Sequence, residues 1–219
     1  YNDVILGLAQ AGQVFAFENH VERRLSHSLI LLLEPFLSTF QLALTDLSFI
    51  AVTAGPGMFS SLRSVLATVN GIAHASGLLL VSCDGLVLES DLLALEPSAV
   101  LNVALLNAYN GELYYRIERQ ERDGSRYLVA GPSYAPVAEV KTLIAELGSK
   151  RSVRMAGNGC ALLGDQQFVA ATRDYAASQV IQALATQSWQ AWEAGEAVDE
   201  LMPLYLKETT FKKQIPLFS

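Results

Sequence analysis

The order of apolar runs and turn signals predicts an α/β protein built as two successive lobes with a cleft between them. Three observations carry this. A hairpin followed by alternating helices and strands occurs twice along the 219 residues. In the stretch from Phe49 to Gly57, a β-branched, apolar run is broken by Gly55-Pro56-Gly57 and followed at once by a helical pattern. Hydrophobic residues make up 51% of the chain, enough apolar surface for one domain or two compact lobes and too much for a disordered protein. The halves share no clear residue-level repeat, so the duplication rests on element order.

The elements follow from local patterns. Val4 to Ala9 and Val14 to Phe17 read as strands joined by a turn at Gly12-Gln13. The chain starts almost inside a strand, and a sheet edge with nothing before it leads us to expect that the first strand of the fold lies upstream of Tyr1. Val21 to Phe40 reads as a helix, Leu47 to Thr53 as a strand, Phe59 to Ser76 as a helix, Leu78 to Ser82 as a strand and Leu86 to Leu95 as a helix. Glu96-Pro97-Ser98 then marks a boundary, giving lobes at residues 1–97 and 98–219. In the second cycle Ala99 to Leu106 and Leu113 to Glu118 are strands around Asn110-Gly111, a dipeptide suited to the type I′ hairpin turn. Asp123-Gly124 turns into a short strand, Tyr127 to Val129. A helix from Val137 to Leu147, a strand from Ser152 to Ala156 and a long helix from Ala176 to Ala194 complete the order. The last helix is expected to pack back on the first lobe.

Composition excludes several classes. A net charge of −7 argues against tight, direct nucleic-acid binding, which needs a basic surface to displace counterions. The small basic clusters (Lys150, Arg151, Arg154; Lys207, Lys212, Lys213) read as solvated faces. Cys83 and Cys160 lie far apart and fit no metal spacing, and no secretory signal is read, so both thiols are expected reduced in the cytoplasm. Ser64 to Cys83 lacks Asp, Glu, Lys and Arg over about the length of a membrane span. It nevertheless holds Asn70, His74 and two glycines, and Gly77 divides a helical pattern from a strand. Helix, turn and buried strand is the reading, with no membrane crossing.

Ala51-Val-Thr-Ala-Gly-Pro-Gly-Met-Phe-Ser-Ser-Leu-Arg63, followed by Leu66-Ala-Thr68 and Gly71-Ile-Ala73, resembles the signature of the TsaB (YeaZ) family. Further pieces fall in family order: His27-Ser28, Leu44-Thr-Asp-Leu-Ser48, Val81-Ser82, Gly111-Glu-Leu-Tyr-Tyr115, Gly157-Asn-Gly159 and Pro203-Leu-Tyr-Leu206. The resemblance runs from about Val4 to Leu206. It implies the duplicated two-lobe fold of the actin-like, sugar-kinase and Hsp70 (ASKHA) superfamily, in which the first hairpin turn carries a phosphate-binding segment. It also implies a non-catalytic scaffold or activating subunit in the synthesis of N6-threonylcarbamoyladenosine (t6A) in tRNA. The implied partners are the catalytic threonylcarbamoyltransferase subunit (TsaD-like) and an ATPase subunit (TsaE-like), with a homodimer when the chain is alone and only indirect contact with tRNA. No cofactor is implied for this chain by itself; ATP or ADP would sit near the partner interface. The alternative is an active ATP-using or peptidase-like enzyme of the same superfamily, and a third reading is a self-associating structural protein. Met58, Ser60, Ser61 and Asn70 stand where the family more often has Ser, Thr, Gly and Lys, and Asn107 stands where an acidic residue is common.

Candidate functional residues follow from the two helices flanking the Gly-Pro-Gly turn. Leu29-Ile-Leu-Leu-Leu33 is apolar around the whole helix circumference, wider than the stripe a surface helix needs. On the next helix Ser64, Thr68, Gly71 and Ala75 make a small-residue face beside Leu62, Val65, Leu66, Val69 and Ile72. The expected partner interface is therefore His27, Ile30, Leu31 and Leu32 with Leu62, Val65, Thr68, Val69 and Ile72. Gly55, Pro56 and Gly57 are expected to form a structural turn: no Lys-Ser/Thr follows them, and Pro56 removes a donor from any anion cradle. The catalytic sister family has a His-x-x-x-His metal pair on the first of these helices, but the residue four after His27 is Leu31, so no metal is expected. Asn107 cannot serve as a general base. No catalytic residues are expected.

Overall fold

Strand β5 (Val100–Tyr109) sits at the centre of the larger sheet, and its sequence says why. Side chains alternate across a strand. Leu101, Val103 and Leu105 enter one apolar cluster, while Ala104, Leu106 and Ala108 enter another on the opposite face. A strand covered on both faces reads as a continuous apolar run. Its polar interruption, Asn102, is fully buried and donates to Gln120 Oε1 at 2.9 Å, and Gln120 in turn donates to the Ala94 carbonyl at 3.1 Å.

The computed structural model describes residues 3–21, 25–96 and 98–207, with the side chains of Asp3, Val21, 25–28 and Val169 left aside. β5 turns into β6 (Glu112–Gln120) through Asn110 and Gly111 at φ 54° and 77°, the type I′ geometry expected from the dipeptide. β6 pairs antiparallel with β7 (Arg126–Pro136), and β8 (Ser152–Ala156) pairs parallel with β5, giving the order β7-β6-β5-β8. Helix α4 (Val137–Gly148) covers one face with Val140 and Ile144, joined by Phe168 from the short α5 (Gln166–Ala171). Helix α3 (Gly85–Leu93) covers the other through Leu86.

The earlier strands form two separate pairs. β1 (Asp3–Gln10) and β2 (Gln13–Val21) make an antiparallel hairpin, and α1 (Leu25–Thr39) packs Phe36 and Leu37 against Leu8. β3 (Phe49–Gly55) runs parallel to β4 (Leu79–Asp84). Between them α2 (Phe59–Ser76) turns Leu66, Val69 and Ala73 toward Ala54 and Leu80, and ends at Gly77 in the left-handed conformation. Helix α6 (Ala177–Glu193) lies against all four of these strands, with Trp192 stacked on Phe49 at a ring separation of 4.7 Å.

After α6 the chain crosses the molecule without regular structure. The Asn70 amide exchanges two 3.0 Å bonds with the Leu201 backbone, Leu204 N–H donates to the Ala54 carbonyl, and Lys207 pairs with Glu112 on β6.

Some elements differ from the sequence expectation for identifiable reasons. β7 is eleven residues long and includes Pro132 and Pro136, where only Tyr127 to Val129 was expected. β7 is an edge strand, where a missing N–H costs no ladder bond. β2 extends to Val21, so α1 starts later than expected; residues 22–24 lie outside the described set. The tail beyond Lys207 also lies outside it.

Glu118 is only 3% exposed and takes hydrogen bonds from Arg116 and Arg126, the latter also holding Asp91 of α3 at 2.6 Å. Glu118→Ala should cost about 3 kcal/mol, the low end for breaking a buried pair, because both arginines keep part of their side chains in water. Urea denaturation of the two proteins checks this, and a midpoint equal to the parent's would contradict it.

Candidate partner interface

Helices α1 and α2 lie side by side on the β1–β4 face, and their inward faces decide what is left outside. Phe36 and Leu37 in the last part of α1 are buried, whereas Ile30 and Leu31, about two turns nearer its start, are 58% and 63% exposed. On α2 the buried Leu66, Val69 and Ala73 leave Ala67, Gly71 and Ala75 exposed. The result is an open groove of about 450 Å³, walled by Ile30 and Leu44 on one side and by Thr68, Gly71, Ile72 and Ala75 on the other. Small residues on α2 keep its backbone near the surface, which permits close packing of another helix.

The structure distributes the nine expected interface residues unequally. Ile30, Thr68 and Ile72 line the groove, and Leu31 stands beside it in solvent. Leu32 is half-buried. Leu62 and Val65 are half-buried against the α2–β3 cluster, and Val69, 4% exposed, belongs to that cluster and faces inward. Thr68 donates to the Ser64 carbonyl at 2.9 Å, so its hydroxyl is already satisfied within the helix. The side chain of His27 lies outside the described residues.

Gly55-Pro56-Gly57 forms the tight passage from β3 to α2. Gly55 has φ +119°, and a Cβ there would lie 2.9 Å from Leu62 Cδ2 and 3.0 Å from the Leu204 carbonyl, so both backbone conformation and space demand glycine. Pro56 is buried. Beyond the turn, Arg63 lies 4.0 Å over the Phe59 ring and donates to Tyr205 Oη at 2.6 Å, while Phe59 and Tyr205 stack at 5.5 Å. This clasp fixes the first turn of α2 to the chain's last described segment. The sequence carries no local signal for it, because its partners are 142 residues apart.

The titratable groups nearby serve structure. Asp84 caps α3, accepting from Leu86 N–H at 2.7 Å and Val87 N–H at 3.4 Å. Burial pushes its carboxyl up, against the downward pull of those two N–H groups and of Arg116. Asn107 Oδ1 accepts from Tyr109 N–H at 2.7 Å, and its own N–H donates to Asn158 Oδ1, so this amide shapes the bulge before the Asn110-Gly111 turn. Among the described residues, His, Cys, Asp and Glu do not gather in any group of three fit to hold a metal ion. His20 pairs with Glu18 at 2.9 Å, and His74 sits exposed on α2. No helix of the described residues is long and apolar enough to cross a membrane.

The mixed α/β fold that carries this groove is similar to that of solved YeaZ structures. A crystal structure from Pseudomonas aeruginosa, of an uncharacterized protein with similarity to peptidase YeaZ, superposes with a TM-score of 0.74 over 94% of this chain and 95% of that one, at 21% identity. YeaZ from Pseudomonas aeruginosa superposes at 0.69 over 93% and 95%, at 20% identity. The profile of the family described as TsaD, tRNA N6-adenosine threonylcarbamoyltransferase, matches residues 19–204, and the chain belongs to this family as a YeaZ/TsaB-like member. No curated protein matches by sequence.

Cys83 and Cys160 are both free and buried, and burial pushes each thiol from 9.0 up to about 12. The thiolate is the reactive form, so a disulfide-exchange reagent should leave the folded chain unlabelled at mildly alkaline pH and label both thiols in concentrated guanidinium. Raised thiol values favour the protonated folded state, so this contribution to stability is intact below pH 9 and is lost as pH climbs toward 12. Rapid labelling of either cysteine in the folded chain would contradict the burial.

Proposed function

We propose that this chain is a non-catalytic subunit of tRNA t6A synthesis, which binds and activates the catalytic threonylcarbamoyltransferase through the α1–α2 groove. The observation that carries the reading is the groove itself: Ile30, Leu31 and Ile72 present apolar surface beside a small-residue floor, and the described residues that line it include no titratable side chain. Exposed apolar surface of this kind marks an interaction site. Two helices from a TsaD-like partner would complete a four-helix bundle and bury both walls. Alone, the chain would pair with its own copy through the same surface.

Membership of the family and the YeaZ-like fold support a place in the t6A pathway. The donor set favours a scaffold over a catalyst. Leu31 follows His27 where a metal pair would need a second imidazole, and Asn107 spends its amide on a backbone turn. ATP or ADP, in this reading, belongs with the partner near the interface, a TsaE-like ATPase joins the assembly, and tRNA is contacted only through the complex, in keeping with the charge of −7. The two lobes of the duplicated ASKHA fold would be residues 1–97 and 98–219. In support, the order hairpin, helix, strand formed by β1–β2, α1 and β3 recurs in β6–β7, α4 and β8.

Ile30→Asp places a carboxylate in the bundle core, where an unpaired charge costs binding energy on the scale of an interface hot spot, at least about 2 kcal/mol. It should weaken association with the partner by about thirtyfold or more while circular dichroism stays unchanged, since Ile30 is outward-facing. Unaltered affinity would move the interface elsewhere.

Reconstitution tests the role. Modification of tRNA should disappear when this chain is omitted from the otherwise complete system and return when it is added back. Full activity without it would end the scaffold reading, and turnover by this chain alone would make it an enzyme.

A further inference from the structure

A second cleft, of about 710 Å³, opens between β2, α6, the end of α3 and the start of β7, and it shares no lining residue with the α1–α2 groove. That volume is typical of small-molecule sites. One wall is α6, which carries no Asp, Glu, Lys or Arg before Glu193. Its Ile181, Ala185 and Ser188 are buried, while Gln179, Gln182, Thr186 and Gln190, three and four residues apart, share the opposite face and line the cleft. A face kept only for solvent has no reason to exclude charge, and the chain as a whole is 17% charged.

The amides on this wall are used unequally. Gln182 accepts from Val14 N–H at 3.1 Å and donates to the Gly12 carbonyl at 2.7 Å, which ties the hairpin to the helix. Gln179 caps its own helix through its oxygen, taking Ala176 N–H at 3.0 Å, and so keeps its two N–H donors for the cleft. Gln187, at the margin of the same face, has the opposite deficit: its carbonyl oxygen is buried without a donor among the described residues. An unpaired acceptor is costly. The last torsion of a glutamine is soft, and rotation about it turns that oxygen to the cleft.

The facing wall is aromatic. Phe15 and Phe17 of β2 are 58% and 43% exposed. The Phe15 ring meets Phe40 edge-on at 6.2 Å, whereas Phe17 has no ring partner among the described residues and lies open to a flat ligand. The charges among the described lining residues are Asp91 and Arg126, which bond each other at 2.6 Å and cancel.

We propose that this cleft binds a neutral, flat heteroaromatic amide. Its ring stacks on Phe17, a ring acceptor takes an N–H of Gln179, and an amide N–H at its other end donates to the Gln187 oxygen. A charged ligand would find the one ion pair already closed and would leave its own charge without a partner. This inference does not rest on the α1–α2 reading.

The probe is isonicotinamide, whose ring nitrogen and carboxamide lie at opposite ends, titrated into the isotope-labelled 219-residue chain and followed by NMR. Saturable shifts are expected at the Phe17 backbone amide and the Gln179 and Gln187 side-chain amides, with a dissociation constant on the order of 1 mM or below. Isonicotinate, the charged isostere, and cyclohexanecarboxamide, which is not flat, should each bind about tenfold more weakly. Gln187→Leu should weaken isonicotinamide binding about fivefold and leave the melting temperature at or above the parent's, because it deletes an unpaired buried oxygen while keeping the shape. Ile30→Asp should leave the titration unchanged. No saturation, shifts confined to residues outside the cleft, equal binding of isonicotinate, or parent affinity in the Gln187→Leu chain overturns the proposal.

Discussion

Burial of β5 on both faces is the constraint from which most of the structure follows. A strand with apolar residues on each side cannot stand at a surface, so α3 must cover one face and α4 the other. Covering β5 with α3 has a further effect, because α3 grows directly out of β4 and the Gly55 turn sits against its first residue. The polar groups at this junction are paired across it: Asn102 to Gln120 to Ala94, Arg126 to Asp91, and Arg154 to the Leu93 and Glu96 carbonyls. A network of this kind, buried at Asn102 and Gln120 and partly exposed at the arginines, holds α3 in one place and sets where β4, β3 and α2 lie relative to the larger sheet.

The groove inherits its shape from that placement. Helix α2 is fixed at its N-terminus by the Arg63–Phe59–Tyr205 clasp and near its middle by the two bonds between Asn70 and Leu201. Asn70 is informative because the resemblance leads one to expect Lys there. An amide both donates and accepts, so it can satisfy the N–H and the carbonyl of Leu201 together; a lysine ammonium could meet only the carbonyl. The departure from the family pattern thus has a local structural use in this chain.

Much of the fold was legible because its punctuation is local. Gly-Pro-Gly before α2, Gly77 after it, and Asn110-Gly111 between β5 and β6 each act through their own backbone geometry, and the boundaries they set agree with the structure. The strand β7 was legible only in part: the apolar run Tyr127 to Val129 marks its start, and the rest, with Pro132 and Pro136, is held by pairing with β6 at the sheet edge. The groove was legible as a pair of apolar helices but not in its residue choice. Leu62, Val65, Val69 and Ile72 lie on one broad stripe, and only the packing of α2 on β3 and β4 separates Val69, which points in, from Ile72, which lines the groove. The clasp and the Asn70 pair connect residues more than a hundred positions apart, a distance at which single-sequence patterns carry no information.

The strap from Leu201 to Lys207 also imposes an order on biosynthesis. Asn70 and its partner are 131 residues apart, so a nascent chain exposes all of α2 long before the ribosome has made the segment that pins it. Through that interval the helix can lie on β3 and β4 but lacks its anchor to Leu201 and its clasp to Tyr205. The groove reaches its final form only when nearly the whole described chain has emerged. Completion of the groove is thereby tied to synthesis of the segment from Leu201 to Tyr205, and a product truncated before it would present α2 without the contacts that set its position.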